Sequence, residues 1–320
     1  MRVAVTGAHG FLGSMVVREL LDRGLAVRAL VTPWGNLARL DGLAPELVPV
    51  DLGSGEPPTS ALAGCDAVIH LAALVRDWGR DEEFARVNVD GTRRLLAAAA
   101  GAGVPRFVHI SSVAVHRYSG HFQADPASAP LDGGINAYAR SKVQAERLVR
   151  DSALDWVVLR PGLWPYGPDD PTLRQVAAAL RSGSLPLVAG GRHRLNTVYA
   201  GNLAIGAALA ATAEGGARSV HVIADDGAPS WRELFGEIAG ILGVRPPRLS
   251  LSPALARLAG NVVESAWELA RPNNEPPLTR YRASLMQADV HFSTASARAA
   301  FGYEPRFSRH EGLQLALAGL

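Results

Sequence analysis

Short apolar runs alternate with amphipathic stretches through the first half of the chain. Val3–Thr6, Val27–Val31, Leu47–Val50, Ala67–Leu71, Phe107–Ile110 and Trp156–Leu159 have strand length. Their continuous apolar character suits strands covered on both faces rather than wetted on one. Between them lie helical segments such as Leu12–Leu21, closed by Gly24, and the alanine-rich Asp90–Ala100, closed by Gly101. Each ends at a residue that tolerates left-handed backbone. Strands alternating with helices predict βαβ crossovers, hence an α/β architecture: a doubly wound parallel sheet with helices on both faces.

The alternation breaks down after about Trp164, where prolines, glycines and isolated helices replace it. Ser230-Trp-Arg-Glu233 and Ser308-Arg-His-Glu311 have capping-box spacing, so both open helices. Asn202–Ala213 reads as a helix returning to the first unit. Residues 1–165 with 196–213 are therefore expected to form the sheet domain, and 166–195 with 214–320 a smaller substrate region. The Pro-rich Arg271–Pro277 reads as a connecting loop. In Ala254–Arg271, Arg257, Asn261, Glu264, Glu268 and Arg271 recur at intervals of three and four. Leu255, Leu258, Val262, Ala266 and Leu269 face elsewhere, the pattern of an amphipathic helix that covers a core.

Composition narrows the function classes. The net charge of +2, carried by scattered arginines without a basic run, argues against nucleic acid as a partner. No charge-free apolar stretch reaches 18 residues, so no membrane span is expected. MRVAVTG runs straight into a strand and a glycine turn, leaving no room for a cleavable signal. The single cysteine, Cys65, forms no internal disulfide, and the expected location is cytoplasmic. The nine histidines lack metal-ligand spacing, so no metal is expected. His116, Tyr118 and His121 precede a helical stretch and read equally as pocket lining or solvated loop. Of 32 basic residues, Lys142 is the only lysine.

The first strand ends in Thr6-Gly-Ala-His-Gly-Phe-Leu-Gly13. Gly7, Gly10 and Gly13, set between a strand and a helix, let backbone approach a pyrophosphate at the positive helix terminus. The chain therefore opens with the turn of a Rossmann-type dinucleotide domain. A carboxylate at the end of the second strand would bind a ribose 2′-hydroxyl. Val31-Thr32 stand there instead, which favours NADP over NAD, with Arg28, Arg39 or His9 as candidates for its phosphate. Asp51, after the third strand, is placed for the adenine edge. Tyr138 and Lys142 share a helix face, and Ser112 ends the fifth strand. An ammonium near a phenol favours the phenolate, the form needed for proton transfer near neutral pH.

These motifs resemble the extended short-chain dehydrogenases/reductases and, within them, the 3β-hydroxysteroid dehydrogenase group. The resemblance spans nearly the whole chain: TGAHGFLG (6–13), HLAA (70–73), VNVDGT (87–92), SSVAV (111–115), YARSK (138–142), LRPG (159–162), VYAGNLA (198–204) and FGYEP (301–305). It implies a catalytic set of Ser112, Tyr138 and Lys142, with Asn88 supporting the strand ends and a proton relay. Gly7, His9, Gly10, Phe11, Leu12, Gly13, Thr32, Asp51, Leu52 and Leu71 would line the cofactor groove. Ala72 and Ala73 would pass beneath the ribose, and Pro161 would border the nicotinamide. Members commonly form homodimers through the helices at Glu82–Ala100 and Tyr138–Arg150, and the helix at Ala254–Arg271 leaves a peripheral membrane contact open.

Sugar-nucleotide epimerases and dehydratases share this core, but commonly place an asparagine after the Arg-x-x that closes the sixth strand. Here Leu163 and Trp164 follow Arg160-Pro-Gly. An apolar wall suits a hydrophobic ketone or secondary alcohol, such as a steroid, alkyl or aryl compound, better than a diphosphate sugar. The expected activity is therefore NAD(P)-dependent alcohol–ketone interconversion. The alternatives are a sugar-nucleotide epimerase or dehydratase and a non-catalytic cofactor sensor.

Overall fold

Every residue of strand β1 (Arg2–Thr6) beyond Arg2 is buried, as a strand covered on both faces requires. The computed structural model describes the chain except residues 56–58, 118, 119, 135, 271–275 and 277. Tyr118, Arg271 and most of the expected loop at 271–277 therefore lie outside the described residues. Around β1 assemble β2 (Ala26–Val31), β3 (Glu46–Pro49), β4 (Ala67–His70), β5 (Arg106–Ile110), β7 (Asp155–Pro161) and β11 (Ser219–Ile223). All pair in parallel, in the order β11-β7-β5-β4-β1-β2-β3. The order reverses between β1 and β4, which opens a crevice at the carboxyl ends of these two strands. β11 comes from the stretch assigned above to the substrate region, yet it forms an edge of the main sheet beside β7.

Helices α1 (Phe11–Asp22) and α6 (Ala200–Thr212) cover one face through Val16, Val17, Leu20, Leu203 and Ala207. The other face is covered by α3 (Gly91–Gly101) and α4 (Ala137–Arg150), through residues such as Leu95, Ala99 and Val149. α3 is preceded by α2 (Asp81–Phe84) and a π-helical turn at Ala85–Asp90. Gly101 stays helical; Gly103, at φ +68°, supplies the left-handed residue expected of Gly101.

A second core brings together α5 (Pro171–Arg181), α7 (Trp231–Ile241) and α11 (Arg309–Leu317) around Leu173, Trp231, Phe235 and Leu313. Both capping boxes close as their spacing predicts. Three small parallel pairs lie outside the main sheet: β6 (His121–Ala124) with β13 (Val290–Phe292), β8 (Trp164–Tyr166) with β10 (Thr197–Tyr199), and β9 (Leu187–Val188) with β12 (Ser250–Leu251). α10 (Ala295–Phe301) leads to Tyr303, whose hydroxyl donates to the Ala224 carbonyl at 2.9 Å in the main core.

Helix α8 (Pro253–Ala270) departs from expectation. It packs on α9 (Arg280–Leu285) along a narrow line of small residues, with Gly260 against Ala283 and the Thr279 carbonyl. Its apolar stripe faces outward instead of covering a core: Leu255, Leu258, Val262 and Leu269 are 50–88% exposed. Among the described residues no helix is long and apolar enough to cross a membrane.

Candidate active site

The glycine turn is shaped by two close approaches. Gly7 adopts φ +66°, and a Cβ there would meet the Ala72 nitrogen at 2.9 Å. A Cβ on Gly13 would lie 2.0 Å from the Gly7 carbonyl oxygen. Side chains at either position would push the turn away from Ala72 or lift α1 off it. Gly10 caps α1, so the helix's free N–H groups open beside the ends of β1 and β4. Leu12 and Leu71 pack against the α1 side of the main core, and the Phe11 ring approaches Gly167 beyond β8.

Behind this groove runs a directed hydrogen-bond chain. Ala72 N donates to Thr6 Oγ1 at 3.1 Å, and Thr6 Oγ1 meets His70 Nδ1 at 2.7 Å. His70 Nε2 lies 2.9 Å from Thr92 Oγ1, which donates to the Asn88 carbonyl at 2.6 Å. Because the Thr92 proton goes to Asn88, the chain is satisfied with His70 protonated on Nε2 and accepting on Nδ1. Burial, with the Lys142 charge as a lesser cause, lowers its pKa to about 3, so the ring is neutral. His70 thus pins the backbone that leads into Ala72 and Ala73, a role that spacing alone did not reveal.

Asn136 caps α4, accepting from Ala139 N at 2.8 Å, and so sets the turn that carries Tyr138. The Tyr138 phenol lies near enough to the Ser112 hydroxyl for Ser112 to favour its ionised form. Ser112 stands just past β5, where its Oγ also accepts from Ala114 N at 3.1 Å. Burial pushes the Tyr138 pKa up to about 12; the nearby Ser112 hydroxyl opposes this and the Asp77 charge adds to it. Lys142 is buried, and its Nζ donates to the Ile110 carbonyl at 2.9 Å. Its ammonium is therefore spent on the strand end, and is not among the groups that shift the Tyr138 pKa. Burial lowers the pKa of Lys142 itself to about 8, with Glu146 opposing.

Asn88 braces the site. Its side chain accepts from Leu74 N at 2.7 Å and donates to the Leu74 carbonyl at 3.1 Å and to Ser141 Oγ at 2.9 Å. These bonds tie the loop after β4 to α4. Behind Lys142, the buried Glu146 accepts from Ser111 Oγ at 2.9 Å and forms an ion pair with Arg160. Arg160 Nη1 also donates to the Pro126 carbonyl at 2.6 Å and to His116 Nε2 at 2.9 Å. His116 is thus a neutral, buried structural residue stacked with Phe292, not part of a solvated loop. His121 stacks on the same ring.

Several expected positions are occupied differently. Arg28 is turned into the sheet's other side, where its Nη1 donates to the Ala61 and Ala63 carbonyls and its Nε faces Glu46 at 3.0 Å. Its charge is unavailable at the end of β2. His9 and Thr32 do meet there, at 3.4 Å, with Arg39 close enough to depress the His9 pKa after burial. The Asp51 carboxylate accepts from Gly53 N at 2.8 Å, and Leu52 is buried against the α3 side of the sheet. Pro161 ends β7, and Leu163 beyond it is half-buried. Trp164 is enclosed in the second core beside Trp231 and Phe235, its indole donating to Asp170 at 3.1 Å. Gly201 of VYAGNLA has a packing reason: a Cβ would meet the Tyr199 ring at 2.6 Å. Asn202 beside it bridges Asp225 and the Phe307 backbone.

A family model described as the NAD dependent epimerase/dehydratase family matches residues 3–224. A 2-alkyl-3-oxoalkanoate reductase of Stenotrophomonas maltophilia is 33% identical, over 98% of both chains. A 3 beta-hydroxysteroid dehydrogenase/Delta 5-->4-isomerase of Mycobacterium tuberculosis is 30% identical over 98% of this chain and 88% of its own. The crystal structure of gox2253 superposes with a TM-score of 0.81 at 31% identity, covering 99% of this chain and 96% of that one. A Bacillus cereus UDP-glucuronic acid 4-epimerase in complex with NAD shares the fold, with a TM-score of 0.76 at 19% identity over 98% and 97% of the two chains.

Proposed function

The chain belongs to the NAD dependent epimerase/dehydratase family, and from that premise we propose that it is a ketoreductase acting on hydrophobic ketones and the matching secondary alcohols. The observation that carries this reading is the grouping of Tyr138 on α4, Ser112 just past β5 and the buried Lys142, whose Nζ donates to the Ile110 carbonyl, at the end of the sheet that bears the glycine turn. The groove suits a nicotinamide dinucleotide: Gly7 and Gly13 leave room only for backbone, and α1 points its free N–H groups at the crevice. When bound, that cofactor supplies or accepts the hydride.

The side chains handle the proton. Tyr138 donates its phenolic proton to the carbonyl oxygen during reduction and takes one from the alcohol during oxidation. Ser112 holds the same oxygen through its hydroxyl. Lys142 fixes the end of β5 through the Ile110 carbonyl and so sets the strand end on which Ser112 stands. Leu163 gives the pocket an apolar wall. The named relatives that act on oxoalkanoates and steroids support this substrate class, whereas the sugar-nucleotide epimerase is similar in fold alone. Tyr138→Phe is expected to lower turnover about 10²–10⁴-fold with cofactor binding intact. Wild-type turnover in a chemistry-limited assay would remove Tyr138 from the mechanism. Activity on a diphosphate sugar, with none on hydrophobic ketones, would favour the epimerase reading.

The cofactor reading favours NADPH. Among the described residues His9 Nδ1 is buried with no hydrogen-bond partner, His9 Nε2 lies 3.4 Å from Thr32 Oγ1, and the charge of Arg39, whose Nε lies 3.7 Å from Asp169, reaches the His9 ring. Arg39 lines a cleft of about 780 Å³ with Asn36, Asp169 and Arg174. Arg39→Ala is expected to weaken NADPH binding about tenfold, the scale of one charge-assisted hydrogen bond, and to leave NADH unaffected. Equal effects on the two cofactors in a fluorescence titration would refute a 2′-phosphate contact. The location we propose is cytoplasmic, with a lipid-surface contact through α8 and a homodimer through α2–α3 and α4. The outward positions of those dimer helices include Arg86, Arg93, Arg140, Gln144 and Arg147, so the contact would be polar and salt-sensitive.

A further inference from the structure

Two arginines from different parts of the fold meet one carboxylate at the mouth of the cofactor groove. Arg39 comes from the short helical turn Ala38–Leu40 after β2, and Arg174 from α5 in the second core. Arg39 Nε lies 3.7 Å from one Asp169 oxygen, and Arg174 Nη2 lies 3.6 Å from the other. Contacts of that length are ion pairs without directed hydrogen bonds. Asp169 therefore leaves the N–H forks of both arginines able to bind a better acceptor.

Asp169 stands where backbone geometry favours another residue. Asp170 N donates to the Gly167 carbonyl at 3.2 Å, closing a turn with Pro168 and Asp169 at its centre. Asp169 has φ +64°, the left-handed conformation that glycine adopts without strain. The cap of α5 does not need it, because Asp170 accepts from Thr172 N at 2.9 Å and from Leu173 N at 3.1 Å. The Asp169 carboxylate instead faces the two arginines, with which it lines the cleft of about 780 Å³ beside Asn36 and Gln175. Two guanidiniums against one carboxylate leave this lining with an excess of positive charge. Both walls of the cleft start from neighbours of the glycine turn. Thr32, on the Arg39 side, meets His9 at 3.4 Å, and on the Asp169 side a Cβ at Gly167 would meet the Phe11 ring at 3.1 Å.

We propose that Arg174 is a second ligand for the 2′-phosphate of NADPH, opposite Arg39, and that Asp169 holds the two guanidiniums in place until the phosphate displaces it. A phosphomonoester brings close to two negative charges and three acceptor oxygens, so each arginine can bind it through two parallel N–H bonds. α5 packs through Leu173, Ala177 and Leu180 into the second core. The phosphate therefore ties the substrate region to the loop after β2, a tie that NADH cannot make. Coenzyme choice is read in part by a residue of the substrate region.

This inference rests on the NADPH reading, and its test separates the two. The probes are 2′,5′-ADP and 5′-AMP, which differ only in the 2′-phosphate, titrated calorimetrically against the full chain. The wild type should bind 2′,5′-ADP at least about tenfold more tightly. Arg174→Ala should weaken 2′,5′-ADP and NADPH about tenfold and leave 5′-AMP and NADH unchanged. The Arg174 side chain is 62% exposed, so the variant should fold, and its 5′-AMP affinity checks that it does. Asp169→Asn removes the competing carboxylate and should tighten 2′,5′-ADP. Amide exchange in α5 should slow with 2′,5′-ADP and not with 5′-AMP. An Arg174→Ala variant that kept full discrimination, or that lost affinity for both probes alike, would overturn the proposal while the NADPH reading stood. Weaker 2′,5′-ADP binding by Asp169→Asn would overturn the displacement, and unchanged exchange in α5 would overturn the tie. A wild type that bound the two probes equally would remove the NADPH reading itself.

Discussion

Lys142 shows how much chemistry one side chain can concentrate. Arginine serves at every other basic position, and the one lysine lies buried four residues after Tyr138. A compact ammonium fits beside the Ile110 carbonyl, where the broad planar fork of arginine would not. Lys142→Arg is therefore expected to stay folded and lose about 10²-fold in turnover through misplacement of the site. Its pKa, lowered from 10.5 to about 8, has a definite sign. As pH falls, the unfolded chain takes up this proton first, so the group costs stability progressively between those two values and no further below about 8. Acylating reagents should modify Lys142 with a midpoint near pH 8, resolved from the α-amino group by peptide mapping, and cofactor should protect it. A fully modified Lys142 with unchanged turnover would exclude it from the mechanism. Tyr138, Lys142 and the glycines were legible because they lie close in sequence and obey helix or turn spacing. Arg39 and Arg174 were not legible as a pair, because they lie on separate elements and only the fold sets both beside Asp169.

At the scale of elements, α4 is fastened to the sheet by a buried charge pair rather than by apolar packing alone. Glu146 and Arg160 are 0% and 1% exposed, and Ser111, Pro126 and His116 satisfy the remaining polar atoms. Breaking such a pair leaves a charge stranded in low dielectric. Glu146→Gln should destabilise the fold by about 3–5 kcal/mol, read as a lower urea midpoint at unchanged slope. A loss below about 1 kcal/mol would mean that water reaches Arg160 in solution. The strands around α4 were legible from their continuous apolar runs, since burial on both faces leaves no place for polar residues. β11 was harder to place. Its Ser-Val-His-Val-Ile segment is strand-like, but it follows a region of irregular pattern, and only pairing with β7 assigns it to the main sheet. Arg28 failed as a phosphate ligand for a related reason. Side chains alternate across a strand, and Arg28 falls on the face turned toward Ala61 and Ala63.

For the whole molecule the decisive surface is α8. Sequence periodicity showed that the helix is amphipathic but not which face meets the protein, because a line of small residues, Ala256 and Gly260, makes the inward contact. The large apolar side chains Leu255, Leu258, Val262 and Leu269 are left in solvent, an arrangement that calls for an external partner. Charge indicates which one. From residue 238 to 263 the chain has no carboxylate side chain, while Arg245, Arg248 and Arg257 stand exposed and Leu249 is 56% exposed. A two-fold contact between copies would set these arginines near one another, whereas an anionic bilayer would attract them while the leucines enter its interface. α8 also rests on α9, whose Arg282 reaches Asp77 in the loop after β4, so a docked helix would bring the site close to a source of apolar substrate. The protein is therefore expected to float with vesicles containing phosphatidylglycerol and much less with phosphatidylcholine alone, and to be released by salt. Leu255→Glu/Leu258→Glu should abolish flotation and leave turnover of a short, soluble ketone intact. If that variant instead changed the sedimentation coefficient of the free protein, the stripe would be an interface between copies. If it changed neither flotation nor sedimentation, the stripe would have no part in docking.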